Sequence, residues 1–488
     1  MSLLAQAVEV LDRTAALELR GTVTQLRGLA VHVADLPVPV GAMVRIEPRA
    51  VAIGVDSPRL APSADANRAA AGSLSDANAS LYGEVVGFAG QETIVMPLGP
   101  VTGISQGDRV TALEHAPYVR VGRSLLGRVI DGLGRPIDGA GPLTETVHRP
   151  LYPDPVDPLD RPLIREPLAT GVRAVDAMVS IGRGQRMGVF AAPGVGKSTL
   201  LGMMARHTAA DVSVVALVGE RGREVRDFID NNLGPEGLKR SVVVCATGDE
   251  PALLRIRAAL VATTVAEYFR DQGLDVLLVM DSVTRFCQAQ RQVGLAAGEP
   301  PATRGYPPSV FSLLPGLLER SGRTSRGSIT GLYAVLVEGD DMNEPVADAC
   351  RGVLDGHLVL SRALAEQGHF PAVDVLASIS RVADDVTSRE HQAARREVIK
   401  VLAAYRRVED LLNIGAYASG SNPDFDLAIA CKPAVDQLLQ QGRHEVRGAA
   451  DFSKTQAQLL ALAQQIQQTR QQLGRGQIRR TPPVQPAR

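Results

Sequence analysis

The chain has 488 residues, with 52 Lys and Arg against 53 Asp and Glu, which gives a net charge of −1. This length predicts two or three domains, and the balanced charge argues against a general binder of nucleic acid or other polyanions. The four cysteines form no CxxC pair, which argues against a structural zinc site or a disulfide framework and agrees with a reducing cytoplasm. No apolar run reaches the roughly 18 residues of a membrane span. Glu9 and Asp12, with no basic stretch before them, argue against a signal peptide.

The N-terminal part begins with apolar residues at helical spacing and then changes to short β-type runs. Residues 3–19 predict an amphipathic helix, whose apolar positions are Leu4, Val8, Leu11 and Ala15. This helix either packs on its own domain or docks a partner. Short runs at 31–33, 44–46 and 93–95 predict a small β-barrel or sandwich. Residues 57–80 are rich in Ser, Ala, Asn and Asp, and we expect a flexible insertion there.

The middle and the end of the chain differ in periodicity. Six prolines between 148 and 167 predict an extended connection. Apolar runs such as 212–218 and 276–280 then alternate with helical patterns, as in a parallel sheet covered by helices. Beyond Val386 the pattern is helical, and the last residues are basic and proline-rich. We place the domain limits at 1–112 (helix and barrel), 113–385 (α/β core), 386–473 (helical) and 474–488 (disordered basic tail).

The most specific motif is a phosphate-binding loop between an apolar strand and a helix. It reads Ala191-Ala192-Pro193-Gly194-Val195-Gly196-Lys197-Ser198, with Ala in place of the usual first Gly. Gly194 and Gly196 can adopt positive φ, so that N–H groups surround the phosphates. We expect Lys197 to face solvent and reach the β- and γ-phosphates of ATP, and the Ser198 hydroxyl to bind Mg²⁺. The candidate nucleotide-binding residues of the loop are Ala192, Pro193, Gly194, Val195, Gly196, Lys197, Ser198 and Thr199.

Two carboxylates follow buried strands of the same predicted sheet. Asp281 ends the run 276–280, and we expect it to hold Mg²⁺ through water. Glu220 ends the run 214–218 and can face the γ-phosphate, where it would activate the attacking water. Arg221 is expected to form an ion pair within the site. On residue chemistry alone, Glu220 and Arg221 fit surface ion pairs at the start of a helix equally well.

Several longer motifs carry a family resemblance. They are GERGREV at 219–225, DSVTRF at 281–286, GEPPATRGYPPSVF at 298–311, EGDDMNEPVAD at 338–348, RGVLDGHLVLSR at 351–362, PAVD at 371–374 and SIS at 378–380. The first three resemble the rotary ATPase α/β-subunit superfamily, and those at 338–362 resemble its type III secretion branch. Residues 413–417 and 420–423 are more similar to the flagellar export ATPases than to the injectisome ATPases.

This resemblance implies an α/β fold: a RecA-like P-loop ATPase core with an N-terminal β-barrel and a C-terminal helical domain, assembled as a homohexamer. It implies that Glu220 is the catalytic carboxylate and that Arg381 is an arginine finger that reaches the neighbouring subunit's nucleotide. Phe370 would stack on adenine. Tyr417 would form the other wall of that pocket. An intrasubunit salt bridge is the alternative for Arg381, and a plain core position is the alternative for Phe370.

The function implied is ATP hydrolysis that drives flagellar type III protein export, with chaperone release and cargo unfolding. The implied partners are a stator-like negative regulator bound to the N-terminal helix, a central stalk protein, chaperone–cargo complexes and a membrane export gate. The protein would then be cytoplasmic and peripherally associated with the inner membrane. Alternatives are an injectisome ATPase, a rotary ATP synthase subunit and a RecA-type RNA translocase. Residues 1–112 contain only Tyr82 and Phe88 as aromatics, which argues against the last and against any nucleic-acid partner.

Overall fold

The computed structural model describes residues 18–48, 81–114, 117–337, 339, 341–445 and 450–474. The predicted N-terminal helix up to residue 17, the predicted insertion 57–80 and the tail beyond Gly474 lie outside the described residues. The chain forms two compact units. The first holds the described residues up to Tyr118, with Glu250–Leu254 and Ala289–Pro308, and the second holds the rest.

The first unit contains a closed six-stranded antiparallel barrel. Its strands are β1 (Arg20–Arg27), β2 (Ala30–Ala34), β3 (Met43–Glu47), β4 (Leu81–Ala89), β5 (Glu92–Pro97) and β6 (Arg109–Glu114), in the order β1-β2-β5-β4-β3-β6. Alternate residues point inward, so that Val23, Val33, Val44 and Val95 form a buried core. The three predicted runs at 31–33, 44–46 and 93–95 are confirmed as strands, and closure of the sheet selects the barrel over the sandwich.

The second unit is built on a mostly parallel nine-stranded sheet. Its strands are β8 (Val129–Asp131), β12 (Arg186–Ala191), β13 (Val212–Glu220), β14 (Ser241–Thr247), β15 (Asp275–Asp281), β16 (Gly322–Arg323), β17 (Ser328–Leu336), β18 (Gly356–Leu360) and β19 (Ile379–Ser380). The order is β19-β18-β12-β17-β15-β13-β14-β8, and β16 pairs with β17. Two small sheets pair β7 (Tyr118–Val121) with β9 (Val147–Pro150), and β10 (Pro167–Leu168) with β11 (Ile181–Gly182).

Helices cover this sheet and form the C-terminal part. They are α1 (Arg173–Met178), α2 (Lys197–His207), α3 (Gly222–Asp227), α4 (Gly234–Lys239), α5 (Ala252–Asp271), α6 (Val283–Ala296), α7 (Pro308–Leu318), α8 (Pro345–Val353), α9 (Arg362–Glu366), α10 (Arg389–Asn413), α11 (Pro423–Leu439) and α12 (Phe452–Gly474). A π-helical turn, Phe228–Leu233, joins α3 to α4, and short 3₁₀ turns lie at Arg123–Leu125, Pro158–Asp160 and Thr303–Gly305.

The C-terminal helices start at residues that favour helix initiation. The Ser388 side chain accepts a hydrogen bond from the His391 N–H, and Asn422 caps α11 with Pro423 in its first turn. The helical pattern predicted beyond Val386 is confirmed, and Leu459 and Ile466 of α12 are fully buried in the core that α2 and the sheet also form. No helix among the described residues is long and apolar enough to cross a membrane.

Candidate active site

The phosphate-binding loop connects β12 to α2 at the carboxyl edge of the sheet. Ala192 and Val195 are buried in the core, whereas Pro193 and Gly194 are exposed. Gly194 and Gly196 have φ of +84° and +92°, a conformation in which a side chain is strained. No described residue accepts a hydrogen bond from the N–H groups of residues 194–196. The loop therefore presents free backbone donors at the N-terminus of α2, a suitable place for an anion.

Lys197, Asp281 and Glu220 meet at this edge, as the sequence predicted. The Lys197 ammonium forms an ion pair with the Asp281 carboxylate, and its Nζ lies 3.7 Å from Oε1 of Glu220. The side chains are 10%, 2% and 15% exposed for Lys197, Asp281 and Glu220, respectively. The expectation that Lys197 faces solvent is wrong, because its ammonium lies between these two carboxylates.

Glu220 reaches this position because the end of β13 bends at Gly219. The parallel ladder between β13 and β14 shifts at this residue, whose φ is +73°. A Cβ atom at Gly219 would stand 2.9 Å from Cβ of Arg285, so the close approach of α6 requires a glycine here. The Glu220 carbonyl in turn accepts a hydrogen bond of 3.0 Å from the Gly248 N–H. The backbone of the candidate base is thus fixed on both sides.

Burial and charge change the acidity of Glu220. The pKa of Glu220 is raised to about 7. Burial is the largest cause, the neighbouring Asp281 carboxylate also raises the pKa, and the Lys197 ammonium lowers it. A hydrogen bond between the Glu220 and Glu224 carboxyls also favours the protonated form. A carboxylate with a pKa near 7 can exchange a proton at physiological pH, which is the property that a general base needs.

Phe370 lies against the phosphate-binding loop. Two of its ring carbons stand 3.7 Å from the position of a Cβ atom at Gly196, and the residue is 47% exposed. Its backbone carbonyl accepts a hydrogen bond of 2.9 Å from the N–H of Gln441, just beyond α11. An exposed aromatic ring next to a phosphate site has a free face for stacking, so the alternative of a plain core position is wrong.

Arg381 follows the edge strand β19 and is exposed. Among the described residues it has no ion-pair partner, and its guanidinium donates a hydrogen bond only to the backbone carbonyl of Arg351, at 3.3 Å. The alternative of an intrasubunit salt bridge is therefore wrong. Its charge remains available to a group outside the chain.

Two further candidates, Arg221 and Tyr417, make their contacts with residues other than Lys197, Asp281 and Glu220. Arg221 is 85% exposed and pairs with Glu224, N–O 3.5 Å, so it reaches the site only through that carboxylate. The Tyr417 hydroxyl donates hydrogen bonds to Asn422 and Asp426, and its ring packs edge-on against Phe425. Tyr417 as a pocket wall stays a prediction.

Family models and relatives cover most of the chain. The beta-barrel domain of the ATP synthase alpha/beta family matches residues 61–114, its nucleotide-binding domain matches 171–380, and the T3SS EscN ATPase C-terminal domain matches 387–461. The flagellum-specific ATP synthase of Bacillus subtilis is 53% identical over 74% of this chain and 83% of its own length. The chain belongs to the ATP synthase alpha/beta family.

Within this family the chain is similar to both export branches. The type 3 secretion system ATPase of Xanthomonas euvesicatoria is 52% identical over 73% of this chain and 81% of its own length. Assembled EscN of enteropathogenic E. coli has a TM-score of 0.80 at 41% identity, covering 91% of this chain and 100% of EscN. EscN in complex with its central stalk EscO has a TM-score of 0.78 at 40% identity, with the same coverage. The chain is thus an ATPase of the flagellar and type III secretion group.

Sequence reasoning missed two residues of this ATPase site. Glu224 lies in the GERGREV motif, where its position four residues after Glu220 on the first turn of α3 was the available signal. Gln441 gave no signal, because its link to Phe370 crosses from the helical region to a loop. Its side chain bonds to the Gly171 carbonyl at 2.7 Å and the Arg173 N–H at 2.8 Å.

The donor set suits a magnesium ion bound together with a nucleotide. Ser198 presents an exposed hydroxyl on the first turn of α2, and Asp281 supplies a carboxylate at the end of β15. Oxygen ligands of this kind, few in number, are what Mg²⁺ uses when phosphates and water complete its shell. The described residues contain no cluster of three or more His, Cys, Asp or Glu able to hold a metal alone.

Proposed function

We propose that this protein hydrolyses ATP to ADP and phosphate to drive flagellar type III protein export. The observation that carries the proposal is the meeting of Lys197, Asp281 and Glu220 beside the free N–H groups of the phosphate-binding loop. This arrangement supplies a cation for the phosphates and a carboxylate of raised pKa for the attacking water.

Each residue has a distinct role in the reaction. Lys197 leaves the carboxylates and binds the β- and γ-phosphates, while the loop N–H groups hold the other phosphate oxygens. Glu220 orients the attacking water and accepts its proton. Mg²⁺, held by Ser198 and through water by Asp281, would neutralise charge on the phosphates. Arg381 of the neighbouring subunit stabilises the charge that develops on the transferred phosphoryl group.

The adenine base of ATP is bound on the exposed side of the phosphate-binding loop. Phe370 stacks on adenine with its free face, and the contact of its ring with Gly196 of the phosphate-binding loop supports this role. Tyr417 forms the opposite wall when the pocket is filled, and Arg221 completes the ion pairs around Glu220 through Glu224.

We infer that the working form is a homohexamer. Arg381 has no carboxylate partner in its own chain as far as it is described, and one chain carries both Glu220 and the finger, so identical subunits complete each other's sites. The assembled EscN relative and its complex with a central stalk support a ring with a stalk partner. The other proposed partners are the negative regulator at the N-terminal helix, chaperone–cargo complexes and the membrane export gate. The proposed location is the cytoplasm, at the inner-membrane export apparatus.

The flagellar role and the injectisome role are separated by a genetic test. Relatives from both branches have nearly equal identity, 53% and 52%, and the flagellar reading rests on the residues at 413–423. A Glu220→Gln substitution in the chromosomal gene should abolish motility and extracellular filament protein while the protein level stays normal. Normal motility combined with lost secretion of virulence effectors would instead support the injectisome role. Normal export of both would contradict the proposal.

A further inference from the structure

The exposed Arg381 guanidinium is carried by a backbone that is tightly held from behind. The Arg381 N–H donates a hydrogen bond of 2.9 Å to the carbonyl of Asp355, the residue before β18. The same carbonyl accepts a second hydrogen bond of 3.1 Å from the side-chain amide of Gln185. Two donors therefore converge on one carbonyl directly behind the candidate finger.

The Gln185 side chain links the start of β18 to the end of β19. Its amide nitrogen also lies 3.0 Å from Oγ of Ser380, the residue before Arg381. Its amide oxygen accepts from the Gly182 N–H at 2.9 Å, and the residue is fully buried. A buried amide is costly unless its hydrogen bonds are made. Here those bonds tie the last residue of β19 to the turn before β12.

Asp355 is fixed in turn by an ion pair. Both of its carboxylate oxygens accept hydrogen bonds of 3.0 Å from the Arg186 guanidinium, and Oδ2 also accepts from the Arg186 N–H. Bidentate pairs of this kind fix orientation as well as distance. A cavity of about 310 Å³ lies beside this ion pair and is lined in part by Arg186, Asp355 and Val382. Asp355 is therefore held at the edge of this cavity by three hydrogen bonds from Arg186.

The short strand carrying the finger also needs a close approach at Gly356. A Cβ atom there would stand 2.4 Å from the Ile379 carbonyl oxygen and 3.0 Å from Cα of Ser380. The two-residue ladder of β18 and β19 has few bonds of its own. Its geometry consequently depends on Gln185 and Asp355.

We propose that Gln185 and Asp355, held by Arg186, are positioning residues that set the direction in which Arg381 is presented to the neighbouring subunit. This inference rests on the proposed role of Arg381 as a trans-acting finger. A misplacement of about 1 Å can cost on the order of 10²-fold in rate. The loss of either residue should therefore lower the turnover of the neighbour's site and leave nucleotide binding in its own subunit intact.

Mixtures of variant subunits provide the test. Gln185→Leu and Asp355→Asn rings should show kcat lowered about 10- to 100-fold with unchanged KM for ATP. Mixed with Lys197→Ala subunits, which supply an intact finger, either variant should regain activity. Mixed with Arg381→Ala subunits, which lack a finger, neither variant should. Glu319→Gln is the matched control, because it removes the other carboxylate at Arg186 and leaves the bonds to residues 380 and 381 in place.

The outcomes separate this inference from the function on which it rests. Rescue of Asp355→Asn by Arg381→Ala subunits would place the defect in its own nucleotide site and overturn the inference. Rescue by neither partner, in rings that assemble, would show a general structural defect and overturn it too. If Arg381→Ala and Lys197→Ala subunits fail to restore each other, the trans-acting finger itself is refuted. Asp355→Asn keeps the test decisive if Gln185→Leu does not fold, since melting temperature and assembly are measured first.

Discussion

The phosphate end of the site and its open end are built in opposite ways. At the phosphate end, Lys197 is enclosed between Asp281 and Glu220 and little of the three side chains reaches solvent. At the open end, Phe370 leaves nearly half of its surface uncovered, and Arg381 has only a backbone carbonyl as its partner among the described residues. Charges that one chain neutralises itself are buried, whereas the groups that a ligand or a neighbour must complete stay exposed.

This difference has an energetic basis. In a poorly solvated site a charge is costly unless it is paired, and removing one partner of an ion pair leaves an uncompensated charge. An exposed guanidinium is well hydrated and needs no partner in the free chain. Substitutions at the phosphate end should therefore affect both chemistry and folding, and those at the open end should affect function alone.

Lys197→Ala is expected to have the largest effect. Turnover should fall about 10³-fold or more, because the phosphates lose their cation. The fold should survive with a lower melting temperature. The pKa of Glu220 is higher in the folded chain than in the unfolded chain, so proton binding at Glu220 stabilises the fold at low pH. This contribution to the free energy of unfolding is lost as pH rises through about 7. Without Lys197, which lowers that pKa, the loss should grow, and thermal melts at about pH 6 and pH 8 measure it. A melting temperature equal to the wild type at both would contradict the buried ion cluster.

Glu220→Gln should retain nucleotide binding and lose hydrolysis by about 10²-fold or more, because the amide keeps the shape and removes the base. Equilibrium binding of ATP and steady-state turnover, measured on the same preparation, test this. Glu236→Gln, on the exposed surface of α4, is the control. A parallel loss of binding and turnover would make Glu220 a nucleotide ligand or a structural residue.

Phe370→Ala tests the open end. One aromatic stack is worth about 0.5–1.5 kcal/mol, so KM for ATP should rise about 2- to 10-fold with kcat and melting temperature nearly unchanged. Phe370→Tyr, which keeps an aromatic ring, should leave KM for ATP close to the wild-type value. Tyr417→Ala should raise KM in the same way if Tyr417 is the second wall. An unchanged KM there would confine Tyr417 to its contacts with Asn422 and Asp426.

Glu224→Gln should produce the smallest change, in the pH dependence of kcat/KM. Activity should rise with pH through about 7 in the wild type, because Glu220 must be ionised to act as a base. The substitution removes a negative charge that raises the pKa of Glu220, and the amide N–H₂ can donate to the ionised Glu220 carboxylate, so the acidic limb should move to lower pH. A limb that does not move, or that moves to higher pH, would exclude Glu224 as an influence on the base.

The features of the fold and the site that the sequence predicted are those encoded by residues close together in the chain. The phosphate-binding loop, β13 and β15 follow from contiguous residues, and the carboxyl ends of parallel strands bring Glu220 and Asp281 together. The burial of Lys197 was missed because the loop motif predicts the position of its backbone but not the direction of its long side chain, which pairs with Asp281. The hydrogen bonds of Gln185 that position Arg381 were also missed. Gln185 and Ser380 are 195 positions apart in the sequence, and a single glutamine in a turn has no distinctive pattern.

The central claim is that each active site is completed by a neighbouring subunit, and mixed rings test it most directly. Arg381→Ala subunits keep an intact phosphate end, and Lys197→Ala subunits keep an intact finger, while each alone should be nearly inactive. In a random equal mixture about a quarter of the ring interfaces pair the two intact halves. The predicted result is ATP turnover of up to that fraction of the wild-type rate, rising with protein concentration as rings assemble. Mixtures that demonstrably co-assemble and remain as inactive as their parents would contradict it.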